Sequence, residues 1–288
     1  MDGLEFDLQR TADDRLAVYH DPTLNPDITR HLCEKSNDWL ASPGPALSCL
    51  TAADLAAYDV GQRKPETAYF KKHPNRRDFP GTPIAFLEDV FDLARAHREP
   101  VLLFAELKTE LEKTANAEAE KLAELYHQHL LHSGNDLPLI SISFDWRCLL
   151  HLQNCDPAPV CHFTTLPFSF TDPTRQDGPA KAAAYRALSQ DGGIWWGDYD
   201  WRDQKGADHD EKMLTALRRA GATGWLGWHG DITARTVELA RARDLQITAW
   251  TVNTPEEAAR LTALGVDNLM TDDPALRQQL TSSGGPAP

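Results

Sequence analysis

Leu4-Glu5-Phe6-Asp7-Leu8, followed after a short turn by His20-Asp21, is the stretch on which the reading of this 288-residue chain turns. Its acidic residues alternate, so an extended backbone places both carboxylates on one face and Leu4, Phe6 and Leu8 on the other. Two hard oxygen donors on one face suit a shared Mg²⁺ or Ca²⁺ ion. A half-buried strand with one wet face produces the same alternation, so the rest of the chain has to separate the two. Thr11-Ala12-Asp13-Asp14-Arg15 reads as a tight polar turn, and Leu16-Ala17-Val18-Tyr19 as a second short strand that delivers His20.

From Pro22 to about Pro83 the pattern breaks up, with prolines at 22, 26, 43, 45, 65, 74 and 80. Only residues 51–58 read as a helix, with Thr51 as its cap. This segment is expected to be an inserted Pro-rich subdomain without a core of its own. Regular alternation follows: helix over 87–98, strand over 101–105, helix over 110–132 and strand over 139–143, then a helix and a strand near Val160. After the tryptophan-rich stretch 192–202 come a helix over 211–220, a strand or turn over 223–228, a helix over 233–243 and a strand over 246–252. Thr254-Pro255-Glu256-Glu257 opens a helix with Pro at its first position, and 266–270 is the last strand. Repeated strand–helix units predict an α/β fold with a parallel sheet closed as a TIM-type (β/α)₈ barrel. One such domain is expected over 1–280, with the insertion at about 22–83 and a disordered tail at 281–288.

A formal net charge of −14 and the lack of any basic run argue against nucleic acid or an anionic membrane as partner. No apolar run approaches the ~18 residues that span a bilayer, so a soluble protein without an integral membrane span is expected. Five cysteines, at 33, 49, 148, 155 and 161, form no Cys-x-x-Cys pair, which disfavours structural zinc or a disulfide framework. Cys33 and Cys49 share one loop-like stretch and are either a disulfide or two free thiols.

In such barrels chemistry gathers at the carboxyl ends of the strands. Glu5 and Asp7 end the first visible strand, Glu106 and Lys108 follow 101–105, Ser143-Phe144-Asp145 ends the next, and 250–253 ends a late one. Charges directly after Val-Leu-Leu-Phe-Ala, a run suited to burial on both sides, favour function over a solvated charge pair. His20 taken alone is a turn histidine; beside Glu5 and Asp7 it becomes a candidate acid–base group. Trp250 reads equally as core packing and as pocket wall.

With these pieces in order, the chain resembles the glycerophosphodiester phosphodiesterases. The resemblance rests on Gly3-Leu4-Glu5-Phe6-Asp7-Leu8, His20-Asp21-Pro22, Glu106-Leu107-Lys108, Ser143-Phe144, Trp250-Thr251-Val252-Asn253 and the closing Gly265-Val266-Asp267 with Thr271-Asp272. Each tripeptide is weak, but the ordered set spans nearly the whole chain. It implies a barrel with an insertion after the His-Asp element and one divalent cation, Mg²⁺ or Ca²⁺. Glu5, Asp7 and Glu106 become the metal ligands, His20 one of two catalytic histidines, Lys108 a phosphate contact and Trp250 a wall of the substrate pocket. The implied reaction is hydrolysis of a small-molecule glycerophosphodiester to glycerol 3-phosphate and an alcohol. Its chemistry suits these groups: a cation and an ammonium stabilise charge growing on phosphoryl oxygens, and imidazole moves protons near neutral pH.

The family's first strand carries a His-Arg-Gly element, and this tripeptide occurs nowhere here. The expectation is therefore a barrel lacking its first βα unit, with Met1 an internal methionine, two unpaired sheet edges and little activity in the chain as it stands. A signal peptide upstream would make the protein periplasmic or secreted; otherwise it is cytoplasmic. Two other readings compete: a non-catalytic barrel that keeps metal or phosphate binding, and a phospholipase-like barrel on intact lipid, which lacks an amphipathic membrane helix here. His127, His129 and His132 sit on a charged helix and read as solvated surface. Trp195, Trp196 and Trp201 read either as a substrate rim or as a cover for the barrel. The expected outcome upstream is an open reading frame encoding His-Arg-Gly about one βα unit before Met1. Nucleotide sequence with an in-frame stop just before Met1 would overturn it.

Overall fold

The opening segment forms β1 (Gly3–Arg10), which turns into the antiparallel β2 (Leu16–Val18). Asp14 adopts φ 58° in this turn, a left-handed position that a short polar side chain tolerates. The Thr11 hydroxyl closes the turn by accepting from Arg15 N at 2.9 Å. The computed structural model describes residues 2–32, 38–41, 44–134, 136–176 and 178–277. Cys33, and with it the Cys33–Cys49 pairing, lies outside the described residues, as does the tail 281–288; Cys49, Cys148, Cys155 and Cys161 are free thiols.

The insertion holds a two-stranded antiparallel sheet of β3 (Arg30–His31) and β4 (Tyr58–Asp59) and two short helices, α1 (Ala52–Leu55) and α2 (Ala68–Lys72). Thr51 caps α1 in a capping box with Asp54, but only one turn follows because the chain leaves for β4. Contrary to expectation, the insertion builds a small core: Leu24, Leu40, Leu47, Leu55 and Ile84 cluster with Tyr19. The prolines hide this core by breaking every periodic run, while isolated leucines from separate turns still converge.

The remaining elements alternate: α3 (Leu87–Ala96), β5 (Leu102–Leu107), α4 (Asn116–His129), β6 (Leu139–Ser143), α5 (Trp146–Cys155) and β7 (Val160–Thr164). Next come α6 (Phe168–Thr171), α7 (Ala180–Asp191), α8 (His209–Arg219) and β8 (Gly224–Trp228). The last are α9 (Ala234–Arg241), β9 (Gln246–Trp250), α10 (Pro255–Ala263) and β10 (Asn268–Leu269). The main sheet has the order β10-β9-β8-β7-β6-β5-β1-β2, parallel throughout except for β1 with β2.

The sheet curls as in a TIM-type barrel. Phe104, Ile140 and Ile142 of β5 and β6 cluster with Leu226 of β8, against Trp250 and Met270, so side chains of non-adjacent strands meet on the concave face. The convex face carries the helices over a larger core that includes Phe91, Tyr126, Trp146, Leu149 and Trp225. Among the described residues no strand joins β10 to β1, and the two ends are linked instead by an ion pair between Arg277 and Asp2. Trp195, Trp196 and Trp201 are buried in the helical layer, where Trp201 Nε1 donates to Ser189 Oγ at 2.9 Å. They cover the barrel and do not line a rim.

Several boundaries differ from expectation; β1 runs on to Arg10 through its pairing with β2, so Glu5 and Asp7 lie within the strand and not at its end. The helix expected from 110 begins at Asn116, because buried Arg147 donates to the Thr114 carbonyl at 3.0 Å and to Asn116 Oδ1 at 2.6 Å and so fixes the preceding turn. β5 runs on to Leu107, which places Glu106 within the strand and not after it. Among the described residues no helix is long and apolar enough to cross a membrane.

Arg147 also forms a two-pronged ion pair with fully buried Asp145, at 2.8 and 2.7 Å, and Thr109 donates to the same carboxylate at 2.8 Å. Asp145→Ala strands the guanidinium and is expected to cost about 3–5 kcal/mol in urea unfolding. A loss below about 1 kcal/mol would show that this pair does not hold the β6–α5 corner.

Candidate active site

The register of β1 on β5 sets Asp7 beside Glu106 and Glu5 beside Phe104. Gly3 permits the close approach of the two strands, since a Cβ there would stand 2.7 Å from the Leu102 carbonyl oxygen. Glu5, Asp7 and Glu106 thereby bring one carboxylate oxygen each to within 4.8 Å of one another. Glu106 is buried, Asp7 half-buried and Glu5 exposed at the rim. Lys108 Nζ lies 2.9 Å from Asp7 Oδ1 and 3.3 Å from Glu106 Oε1, acting as internal counter-ion.

The charges shift accordingly. Burial, then repulsion from Asp7, pushes Glu106 up to about 7 against the pull of Lys108. Glu5 is pushed up to about 8 by desolvation and by its neighbours Asp7 and Glu106. Glu5 is exposed, so water screens that repulsion, whereas Glu106 is buried away from it. Burial pulls the Lys108 ammonium down, but Glu106 and Asp7 outweigh it and the net shift is upward. Three oxygen donors this close fit a hard divalent cation, and the ammonium shows that the group draws positive charge.

His20 follows β2 on a braced turn. Tyr19 N donates to Asp7 O at 3.0 Å, and Gln9 Nε2 donates to the carbonyls of Tyr19 and Asp21 at 2.8 and 2.7 Å. His20 Nδ1 lies 2.8 Å from Asp21 Oδ1, a contact that raises the imidazole pKa, although water screens a side chain that is 70% exposed. Glu5, Asp7, Tyr19, His20, Asp21 and Arg76 line one cleft of about 300 Å³. Arg76 comes from the insertion and was not foreseen, since nothing in a proline-broken stretch marks one arginine among several.

Trp250 is half-buried at the end of β9 and meets Phe144, at the end of β6, edge to face at 5.3 Å between ring centres. It therefore packs on the concave core and also stands at the carboxyl end of the sheet. His127, His129 and His132 join neither cluster of potential metal ligands among the described residues. A second cluster, Asp172, His209 and Asp210, does form. Arg175 occupies it, 3.5 Å from Asp172 and 3.2 Å from Asp210, with Asp231 at 3.6 Å, so its positive charge is already supplied.

A concave parallel sheet with clustered carboxylates, an ammonium and an imidazole at its carboxyl end suits an enzyme that acts on an anionic substrate. Residues 1–194 and 195–276 match the model of the glycerophosphoryl diester phosphodiesterase family, and the chain belongs to that family. Among solved structures it is similar to a protein of Silicibacter pomeroyi DSS-3 assigned to the glycerophosphoryl diester phosphodiesterases, with 23% identity and a TM-score of 0.79 over 99% of this chain and 85% of that one. It is also similar to an Oleispira antarctica phosphodiesterase in complex with its product sn-glycerol-3-phosphate, at 15% identity and TM-score 0.63 over 98% of this chain and 85% of that one. A glycerophosphodiester phosphodiesterase of Thermotoga maritima shares 16% identity at TM-score 0.55, over 97% and 85% of the two chains. No curated protein matches the chain.

Because Glu5 and Glu106 hold protons more tightly in the fold than at their ordinary value of 4.5, the ion-free protein is expected to lose stability as pH rises from about 4.5 towards 8. A bound divalent cation displaces those protons, so with saturating Mg²⁺ or Ca²⁺ the slope reverses and affinity for the ion rises over the same range. Melting curves with and without the ion at several pH values check this. A cation affinity independent of pH between about 6 and 8.5 would contradict it.

Proposed function

We propose that this chain hydrolyses glycerophosphodiesters to glycerol 3-phosphate and an alcohol with the help of one divalent cation, Mg²⁺ or Ca²⁺. The convergence of Glu5, Asp7 and Glu106 around the ammonium of Lys108 carries the reading. Glu5, Asp7 and Glu106 hold the cation, which supplies Lewis-acid stabilisation of the phosphoryl oxygens when bound. The ammonium of Lys108 would contact the phosphate. The imidazole of His20, oriented by Asp21, exchanges a proton with the attacking or the leaving oxygen. Trp250 and Phe144 wall the organic part of the substrate at the carboxyl end of β9 and β6. A small-molecule diester fits a cleft of about 300 Å³.

Two substitutions separate the roles. In a chain carrying the expected upstream His-Arg-Gly unit, His20→Ala is expected to lower kcat by about 10²–10⁴-fold and leave cation affinity unchanged, since imidazole is not among the proposed ligands. Glu106→Ala is expected to weaken cation binding first. Hydrolysis of glycerophosphocholine under titrated Mg²⁺ or Ca²⁺ measures both. Near-wild-type turnover in His20→Ala would reduce this histidine to a turn residue, and activity indifferent to chelation would remove the cation from the mechanism.

A further inference from the structure

We infer that Arg76, supplied by the insertion, is a direct contact for the phosphoryl group of the ligand held in the Glu5–Asp7–His20 cleft. The inference rests on reading that cleft as a phosphodiester site. The lining of the cleft divides by origin: β1, β2 and the His20 turn supply Glu5, Asp7, His20 and Asp21, while the insertion supplies Ile28, Val60 and Arg76. The insertion wall is apolar except for this guanidinium.

Arg76 is held in place by neutral partners. Nη1 donates to the Tyr69 hydroxyl at 2.8 Å, Nη2 to the Val60 carbonyl at 3.3 Å, and the guanidinium lies 5.8 Å from the centre of the Tyr69 ring. These two acceptors leave further N–H donors unused. Among the described residues Arg76 forms no ion pair, although Asp7 and Asp21 line the same cleft. Most other buried or half-buried cations of the chain behave differently: Arg63, Arg147, Arg175 and Lys108 each sit against a carboxylate. A guanidinium in no ion pair, its neighbour Asp78 being engaged by Arg63, on the same cleft as an acidic group that draws a cation, leaves room for an anion between the two.

The support behind Arg76 is stiff. Arg63, 9% exposed, grips Asp78 with Nε at 2.9 Å and Nη2 at 3.1 Å, and also bonds the His73 carbonyl. Arg76 N donates to that same carbonyl at 3.3 Å. The loop bearing Arg76 is thus fixed at both ends by one buried side chain, which presents the guanidinium without much ordering on binding. Planar N–H pairs match phosphate oxygens better than an ammonium does, so arginine and lysine are not equivalent here.

Calorimetric titration of the full chain, loaded with Mg²⁺ or Ca²⁺, with inorganic phosphate and with sn-glycerol 3-phosphate tests the assignment. Arg76→Gln is expected to weaken both by about 10- to 100-fold, Arg76→Lys by about 3- to 10-fold. Tyr69→Phe, which removes a support but no charge, should bind within about twofold of wild type. In the unmodified protein, either ligand should slow phenylglyoxal modification of Arg76, read by peptide mass spectrometry, which does not depend on the variants folding. Unchanged affinity in Arg76→Gln, an equal loss in Tyr69→Phe, or modification of Arg76 indifferent to ligand would each overturn the inference. Wild-type protein that binds phosphate through Arg76 but hydrolyses no glycerophosphodiester would leave the inference standing and defeat the proposed reaction; hydrolysis with Arg76→Gln affinity unchanged would do the reverse.

Discussion

Two neighbouring parallel strands are pinned in a register that forces three carboxylates together, and the rest of the site answers to that crowding. Leu8, Leu103 and Leu107 are fully buried behind β1 and β5, so a one-residue slip would turn Asp7 and Glu106 into the hydrophobic layer and those leucines towards the cleft. The apolar core thus fixes the acidic face. Carboxylates at this spacing repel, and they stay ionised together only where a positive charge is supplied. In the ion-free protein Lys108 supplies part of it from the same strand run, its backbone N–H continuing the ladder to Leu8 O at 3.0 Å, and protons held by Glu5 and Glu106 relieve the rest.

Much of this could be read from the sequence because the signals are local. Glu5 and Asp7 declare themselves by period-two alternation, and the Val-Leu-Leu-Phe-Ala run announces a buried strand with charges at its end. Barrel architecture followed from the alternation of strands and helices. What stayed hidden is non-local. The small core of the insertion is assembled from leucines with no common period, and Arg76 reaches the cleft only because Arg63 and Asp78 fold its loop back. Helix α4 starts late because of a side chain more than thirty residues further along, Arg147, which no window over 110–132 contains. The tryptophans at 195, 196 and 201 could not be sorted by composition, since a rim and a buried cover use the same residue.

The motifs that carried the family resemblance turn out to brace loops as much as to perform chemistry. Asn253 exchanges bonds with Asp272, donating to Oδ2 at 3.0 Å and accepting from its backbone N–H at 2.9 Å, while Thr271 donates to Asn253 at 3.1 Å. Asp267 accepts from Ile247 N at 2.7 Å and ties β10 to the start of β9. Ser143 donates to Leu107 O at 2.6 Å and accepts from Asp145 N at 3.0 Å, joining the ends of β5 and β6. The Asn253 and Ser143 bonds lie at carboxyl strand ends, the end of the sheet where Asp7 and His20 stand, whereas the Asp267 bond ties the amino ends of β9 and β10. Positioning of this kind demands a particular residue at a particular spacing as strictly as catalysis does, which is why an ordered set of weak tripeptides is specific.

The two acidic clusters among the described residues show why proximity alone does not make a cation site. Asp172 and Asp210, with His209, enclose Arg175, whose guanidinium contacts both carboxylates and Asp231. His209 is walled in by the Phe168 and Trp201 rings at 5.5 and 4.7 Å. An incoming ion would have to expel a planar group held by three carboxylates. Around Glu5, Asp7 and Glu106 the counter-ion is a single flexible ammonium, and Glu5 stands exposed to solvent. The same electrostatic demand is therefore met by a guanidinium shared among three carboxylates in one cluster and by a single ammonium shared between Asp7 and Glu106 in the other.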